Sequence, residues 1–142
     1  MKGYYKEPDK TAEVMRNGWL YSGDLAYFDE DGEIRVVERK KECITSGGEK
    51  IFPLEVEEIL HTHPKIKDVC VIGVPDDTWG SIVRAVVVLK EGEEATEEEI
   101  IEWCKGKMAG YKKPKSIVFA DSLPVSPVGK VQRSRVKEIH GK

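Results

Sequence analysis

The sequence predicts a small compact α+β domain: a short mixed β-sheet of about three strands, covered by amphipathic helices and preceded by a β-hairpin segment. Three observations carry that prediction. The runs DVCVIGVP and SIVRAVVVLK are too continuously apolar for a sheet with one wet face, so the sheet is covered. Two segments around these runs repeat with helical period: Val56, Ile59, Leu60 and His63 on one stripe with glutamates opposite, and Ile100, Ile101, Cys104 and Met108 on another. Finally, Asp31-Gly32 sits between apolar and aromatic flanks, the composition of a hairpin turn that needs positive φ.

Each element follows in order. The opening loop leads to a short helix near Thr11–Arg16, stopped by Asn17-Gly18. LYSGDLAYFDEDGEIRVVER is the hairpin, and this first stretch has too few apolar residues to fold alone. Lys40-Lys41-Glu42 breaks the strand pattern, and Ser46-Gly47-Gly48 forms a permissive loop. Pro53 opens the helix PLEVEEILHTH, as proline does at a first helical position, and Pro64 closes it. Thr96 with Glu99 three residues later is a capping box for the next helix. KSIVFAD is the third strand, SLPVSPVGK a loop and RSRVKEIHGK a short final helix.

The composition, 39% hydrophobic and 35% charged over 142 residues, is that of one soluble domain with an appendage. No apolar run is long enough to span a bilayer and no signal-peptide pattern opens the chain, so a cytoplasmic setting is expected. Cys43, Cys70 and Cys104 have neither metal spacing nor a disulfide framework, and no metal site is expected. The net charge of −3 is unevenly spread: from Lys107 onward nine Lys/Arg face Asp121 and Glu138, giving +7 and leaving −10 for the rest. A basic last quarter on an acidic protein suits an anionic partner such as nucleotide phosphates, or a solvated tail.

Four stretches could carry chemistry. In YSGDL, Asp24 is either a turn aspartate or an acceptor for a ribose diol. In VERKKECITSGGEKI, Arg39 ends the hairpin, and Gly47-Gly48 either make a tight turn or let backbone amides approach a ligand. Neither GxxxxGK[ST] nor GxGxxG occurs. GVPDDTWGSIV carries Trp79, read as packing without chemistry. In SPVGKVQRSR, Lys130 follows a glycine on a proline-stiffened loop, as a solvated lysine or a mobile point charge for a phosphoryl or carboxylate oxygen.

In this order the four stretches closely resemble the C-terminal end of the adenylate-forming ligases, which include acyl-CoA synthetases, peptide-synthetase adenylation domains and firefly luciferase. The resemblance runs from Met1 to Arg135, through SGDL, the ERKKE joint, the SGGEK loop, GVPDDTWG and LPVSPVGKVQR. It implies that residues 1–40 are the end of a large N-terminal domain and 41–142 a mobile C-terminal domain. Asp24 would bind the ribose hydroxyls of ATP and of the acyl-adenylate, and Arg39 the same ribose or a nearby phosphate. Lys41 would be the hinge, and Gly47, Gly48 and Glu49 would line the pantetheine tunnel. Lys130 would be the adenylation lysine.

The implied reaction joins a carboxylic acid to ATP, with Mg2+, releasing pyrophosphate; coenzyme A then displaces AMP. A lysine between two anions stabilises charge in the first half and is not needed in the second. Ser81 stands where a glutamate is common, and Lys50 where many members carry arginine. The phosphate loop and acyl pocket lie outside this stretch, so the fragment alone is expected to be inactive and to bind none of these ligands tightly. The flavour of the opening run favours a long-chain fatty acid–CoA ligase, with an aryl-CoA ligase or peptide synthetase as alternatives. A basic nucleic-acid-binding module is the rival from another class, disfavoured because Tyr111 stands alone beside YKKPK. Lys130 is also open to acetylation on this reading, and a hairpin parted from its parent domain admits pairing with a second copy.

Overall fold

The computed structural model describes residues 1–142, which divide into two compact units, Met1–Lys41 and Glu42–Lys142.

In the first unit, helix α1 spans Pro8–Val14 and begins on proline. The sequence places this helix at Thr11–Arg16, and the difference has a local cause. Asn17 and Gly18 have φ of 51° and 79°, the pattern of a two-residue type I′ turn, which draws Met15–Arg16 (β1) against Trp19–Leu20 (β2). Strands β3 (Asp24–Phe28) and β4 (Ile34–Arg39) form the expected antiparallel hairpin, with a bulge at Leu25/Ala26. Asp29 organises its turn. Its Oδ1 accepts the amides of Asp31 and Glu33, and its Oδ2 meets Arg35 Nε at 2.7 Å. The Arg35 guanidinium, with those amides, holds the Asp29 carboxyl below its ordinary pKa. Phe28, Ile34 and Val36 of this hairpin are exposed, and none of the buried core residues belongs to strands β1–β4.

In the second unit, β5 (Ile44–Ser46) and β6 (Glu49–Ile51) make a small hairpin where the sequence predicts a loop. Helix α2 (Pro53–His61) follows. Strands β7 (Ile66–Asp76) and β8 (Gly80–Leu89) pair antiparallel over their length. Helix α3 (Glu97–Trp103) crosses back so that β9 (Ser116–Phe119) adds parallel to β8, giving a mixed sheet in the order β7-β8-β9. Thr96 caps α3 by accepting the Glu99 amide at 3.2 Å. Helix α4 (Arg133–His140) ends the chain, and Arg84 of β8 donates to the carbonyl of His140 at 2.6 Å.

Alternation along β7 and β8 divides the apolar residues between two cores. Val69, Val71, Val83, Ala85 and Val87 face Val56 and Leu60 of α2, Ile100 of α3 and Cys104 just after it. Cys70, Ile72, Val74, Val86 and Val88 face Leu123 and Val136 of α4. The sheet is therefore covered on both faces, which is why its strands read as unbroken apolar runs. One expectation fails in α2: Glu57 belongs to the supposed solvated face yet is buried, because α4 brings an arginine to it.

Candidate functional site

In the first unit, the β3–β4 register sets Asp24 directly opposite Arg39. Arg39 Nε donates to Asp24 Oδ1 at 2.8 Å and Arg39 Nη1 to the Ser22 carbonyl at 3.4 Å. Ser22 Oγ accepts the Asp24 amide at 3.2 Å. A carboxylate has about four lone-pair sites, so one guanidinium contact leaves Asp24 able to accept a diol. Lys41, exposed, is the last residue of this unit.

In the second unit, Gly47 and Gly48 are the two central residues of the β5–β6 turn, with φ of 57° and 87°. Both angles lie in the left-handed region that favours glycine, the requirement of a type I′ turn at its two central residues. Glu49 opens β6 opposite Ser46 and is exposed. Sequence reasoning read Trp79 as packing without chemistry, and the fold shows what it packs on. The Gly47 amide donates to the Trp79 carbonyl at 3.0 Å, and the indole covers Gly47 so closely that a Cβ there would lie 2.7 Å from Cε3. Asp76 Oδ1 fixes that loop by accepting the amides of Thr78 and Trp79 at 3.0 and 2.8 Å. The spacing PDDTWG was the available signal: an aspartate two and three residues before the amides it captures. Ser81 Oγ donates to the Val74 carbonyl at 3.1 Å, a bond across the strand pair.

Lys130 closes a tight turn that begins at Ser126. The Ser126 amide donates to the Lys130 carbonyl at 2.7 Å, the Gly129 amide to the Ser126 carbonyl at 2.8 Å, and the Lys130 amide to Ser126 Oγ at 3.2 Å. Val125 and Val131 bridge at its base. The backbone is thus fixed while the Lys130 side chain projects, exposed, from the turn. The Lys130 turn and the glycine hairpin share no hydrogen bond.

A cluster that sequence reasoning missed stands just beyond Lys130. Arg133 Nη2 donates to both carboxylate oxygens of Glu57, at 2.8 and 2.9 Å, and Arg133 Nη1 pairs with Glu42. Glu57 Oε1 also accepts the Val71 amide at 2.7 Å. The pair therefore wraps the open edge of β7, joining α2 on one face of the sheet to α4 on the other. A cavity of about 220 Å³ adjoins it, lined in part by His61, Asp68 and Cys70.

Burial shifts three further groups of the second unit. Burial pushes the Cys70 thiol up to about 12 and raises Cys104 as well. Burial also lowers the His63 imidazole, whose ring meets Trp103 edge-on at 4.8 Å. No group of three or more His, Cys, Asp or Glu is placed to hold a metal ion. No helix is long and apolar enough to cross a membrane.

A profile of the AMP-binding enzyme C-terminal domain matches residues 55–130. A feruloyl-CoA synthase of Amycolatopsis sp is 46% identical over 141 residues, 99% of this chain and 29% of that protein. A long-chain-fatty-acid–CoA ligase of Bacillus subtilis is 46% identical over 138 residues, 97% of this chain and 25% of that protein. Among solved structures, ATP-bound MatB from Rhodopseudomonas palustris superposes with a TM-score of 0.90 at 34% identity, over 99% of this chain and 28% of that one. The chain spans between a quarter and a third of the length of these relatives.

Proposed function

Because the chain belongs to the AMP-binding enzyme C-terminal domain family, we propose that it is the C-terminal part of an ATP-dependent, AMP-forming acyl-CoA ligase and supplies that enzyme's adenylation lysine. The observation that carries this is the Lys130 turn: a rigid backbone, closed on Ser126, that presents an exposed ammonium. In the first half-reaction a carboxylate attacks the α-phosphate of ATP and pyrophosphate leaves. Two anions must meet, and negative charge builds on the bridging oxygens. The Lys130 ammonium lowers that repulsion and stabilises the charge in place. Asp24 accepts the ribose hydroxyls, and Arg39 orients its carboxylate through the bond already formed between them. In the second half-reaction the thiol of coenzyme A displaces AMP, the Gly47-Gly48-Glu49 hairpin lines the pantetheine path, and Lys41 is the hinge between the two arrangements.

On this reading residues 1–40 complete a larger N-terminal domain, which accounts for the exposed Phe28, Ile34 and Val36. The proposed acid is a long-chain fatty acid. Relatives named for ferulate and for long-chain fatty acids are equally similar, at 46%, so an aryl acid is the alternative outcome of a substrate panel. Magnesium ion would accompany the ATP phosphates, and this chain offers it no ligand cluster. A cytoplasmic setting and the inactivity of the fragment alone belong to the same proposal.

The test is Lys130→Ala in the complete ligase, with the half-reactions measured separately. Adenylation, read as pyrophosphate exchange, should fall by at least about a hundredfold, the scale of one lost electrostatic contact. Thioester formation from supplied acyl-adenylate should persist. Equal loss of both halves, or of neither, would overturn the assignment.

A further inference from the structure

Arg133 stands three residues after Lys130, and one of its partners, Glu42, stands one residue after Lys41. We infer that Arg133 is a positioning residue: its guanidinium, forked between Glu42 and Glu57, ties the base of the Lys130 turn to the segment that follows the hinge, so that the turn follows that segment as one piece. The inference rests on the reading of Lys130 as the adenylation lysine and Lys41 as the hinge.

Three features support it. The geometry is that of a fork, since one nitrogen takes both oxygens of Glu57 while another takes Glu42, and only a planar guanidinium spans such a set. The Arg133 and Glu57 side chains are 19% and 10% exposed, so the pair is shielded from the water and salt that weaken surface pairs. Position completes the case. Between Lys130 and Arg133 the chain is held by the Val125–Val131 bridge and by the Gln132 amide, which donates to the Pro124 carbonyl at 2.8 Å. Rotation at Arg133 is thus passed to the turn with little slack. Glu57, anchored by the Val71 amide of β7, gives the fork a fixed point in the sheet.

Glu42→Gln removes the charge of the hinge-side contact and leaves the Glu57 pair, so it spares the fold. Arg133→Lys keeps the charge and loses the fork. In the full chain, Glu42→Gln should leave the melting temperature within a few degrees, yet speed amide hydrogen exchange at Gly129 and Lys130 about tenfold, the loss of one charge-assisted bond. In the complete ligase, both variants should slow adenylation about tenfold while sparing thioester formation from supplied acyl-adenylate, and Arg133→Lys should retain more adenylation than Arg133→Gln. Unchanged exchange in the turn, or an equal fall in both half-reactions, would overturn the inference. If Lys130→Ala lowers adenylation while the Glu42 and Arg133 variants leave it unchanged, the fork fails and the function stands. If Lys130→Ala has no effect, the underlying assignment is what fails.

Discussion

The indole of Trp79 lies over Gly47 at a separation that leaves no room for a methyl group, 2.7 Å from Cε3 to where a Cβ would be. Steric closure and backbone angle act together at this one residue. Gly48, its neighbour, has the positive φ but open space around it. Gly47→Ala should therefore cost more than Gly48→Ala: about 3 kcal/mol against about 1–2 kcal/mol, the second being conformational strain alone. Urea denaturation of the two variants checks the ranking. Adding Trp79→Ala should recover part of the Gly47→Ala loss and none of the Gly48→Ala loss, and a purely additive cycle would refute the clash.

The Asp24–Arg39 pair should matter little for stability. The Arg39 side chain is 64% exposed, and exposed pairs contribute roughly 0–1 kcal/mol. Arg39→Gln is expected to leave the urea midpoint nearly unchanged while raising the KM for ATP in the complete ligase. A large fall in stability with ATP kinetics intact would assign the pair to the fold instead.

Acid should weaken the fold in a window set by His63. Burial lowers its imidazole pKa in the folded chain; Glu99 opposes that shift, whereas Lys65, Lys107 and Lys90 add to it. The unfolded chain takes up a proton near the ordinary value of about 6.5, before the folded one does. The stabilisation is thus fully present above that value and is lost as pH falls from it toward the depressed folded value. Urea midpoints at pH 7.5 and 5.5 measure the slope. His63→Gln should flatten it, and an unchanged slope would place the sensitive group elsewhere.

Thiol chemistry should distinguish the three cysteines. Cys70, pushed up to about 12, and Cys104, also raised, carry almost no thiolate near neutral pH and are buried. Half-buried Cys43 should be the site alkylated by iodoacetamide in the native chain, with all three alkylated in urea. Native labelling at Cys70, read by mass spectrometry, would contradict its burial.

Much of this fold could be read from local signals. The mixed sheet, its two-sided cover, the Pro53 helix start and the Thr96 cap all rest on patterns within a dozen residues. The errors fall where a second segment decides. Glu57 sits among glutamates on a helix, and nothing near it in sequence announces Arg133, 76 positions away. Trp79 was rightly read as packing, but the glycine it covers lies 32 positions earlier, so its part in shaping the glycine hairpin was not legible locally. In the first unit a two-residue turn at Asn17-Gly18 outweighed helix propensity, because a type I′ turn recruits both of its flanks into strands. Of the candidate site, Asp24 and Arg39 were named from two separate motifs, and what the sequence did not show is the β3–β4 register that sets them opposite each other.

Both cores of the second unit are built on the same three strands, so neither can loosen without exposing the back of the other. Heat should therefore take the whole unit apart in a single step, with no half-melted form that keeps the lysine turn and loses the glycine hairpin. A cell that makes this body inherits both the lysine turn and the glycine hairpin or neither.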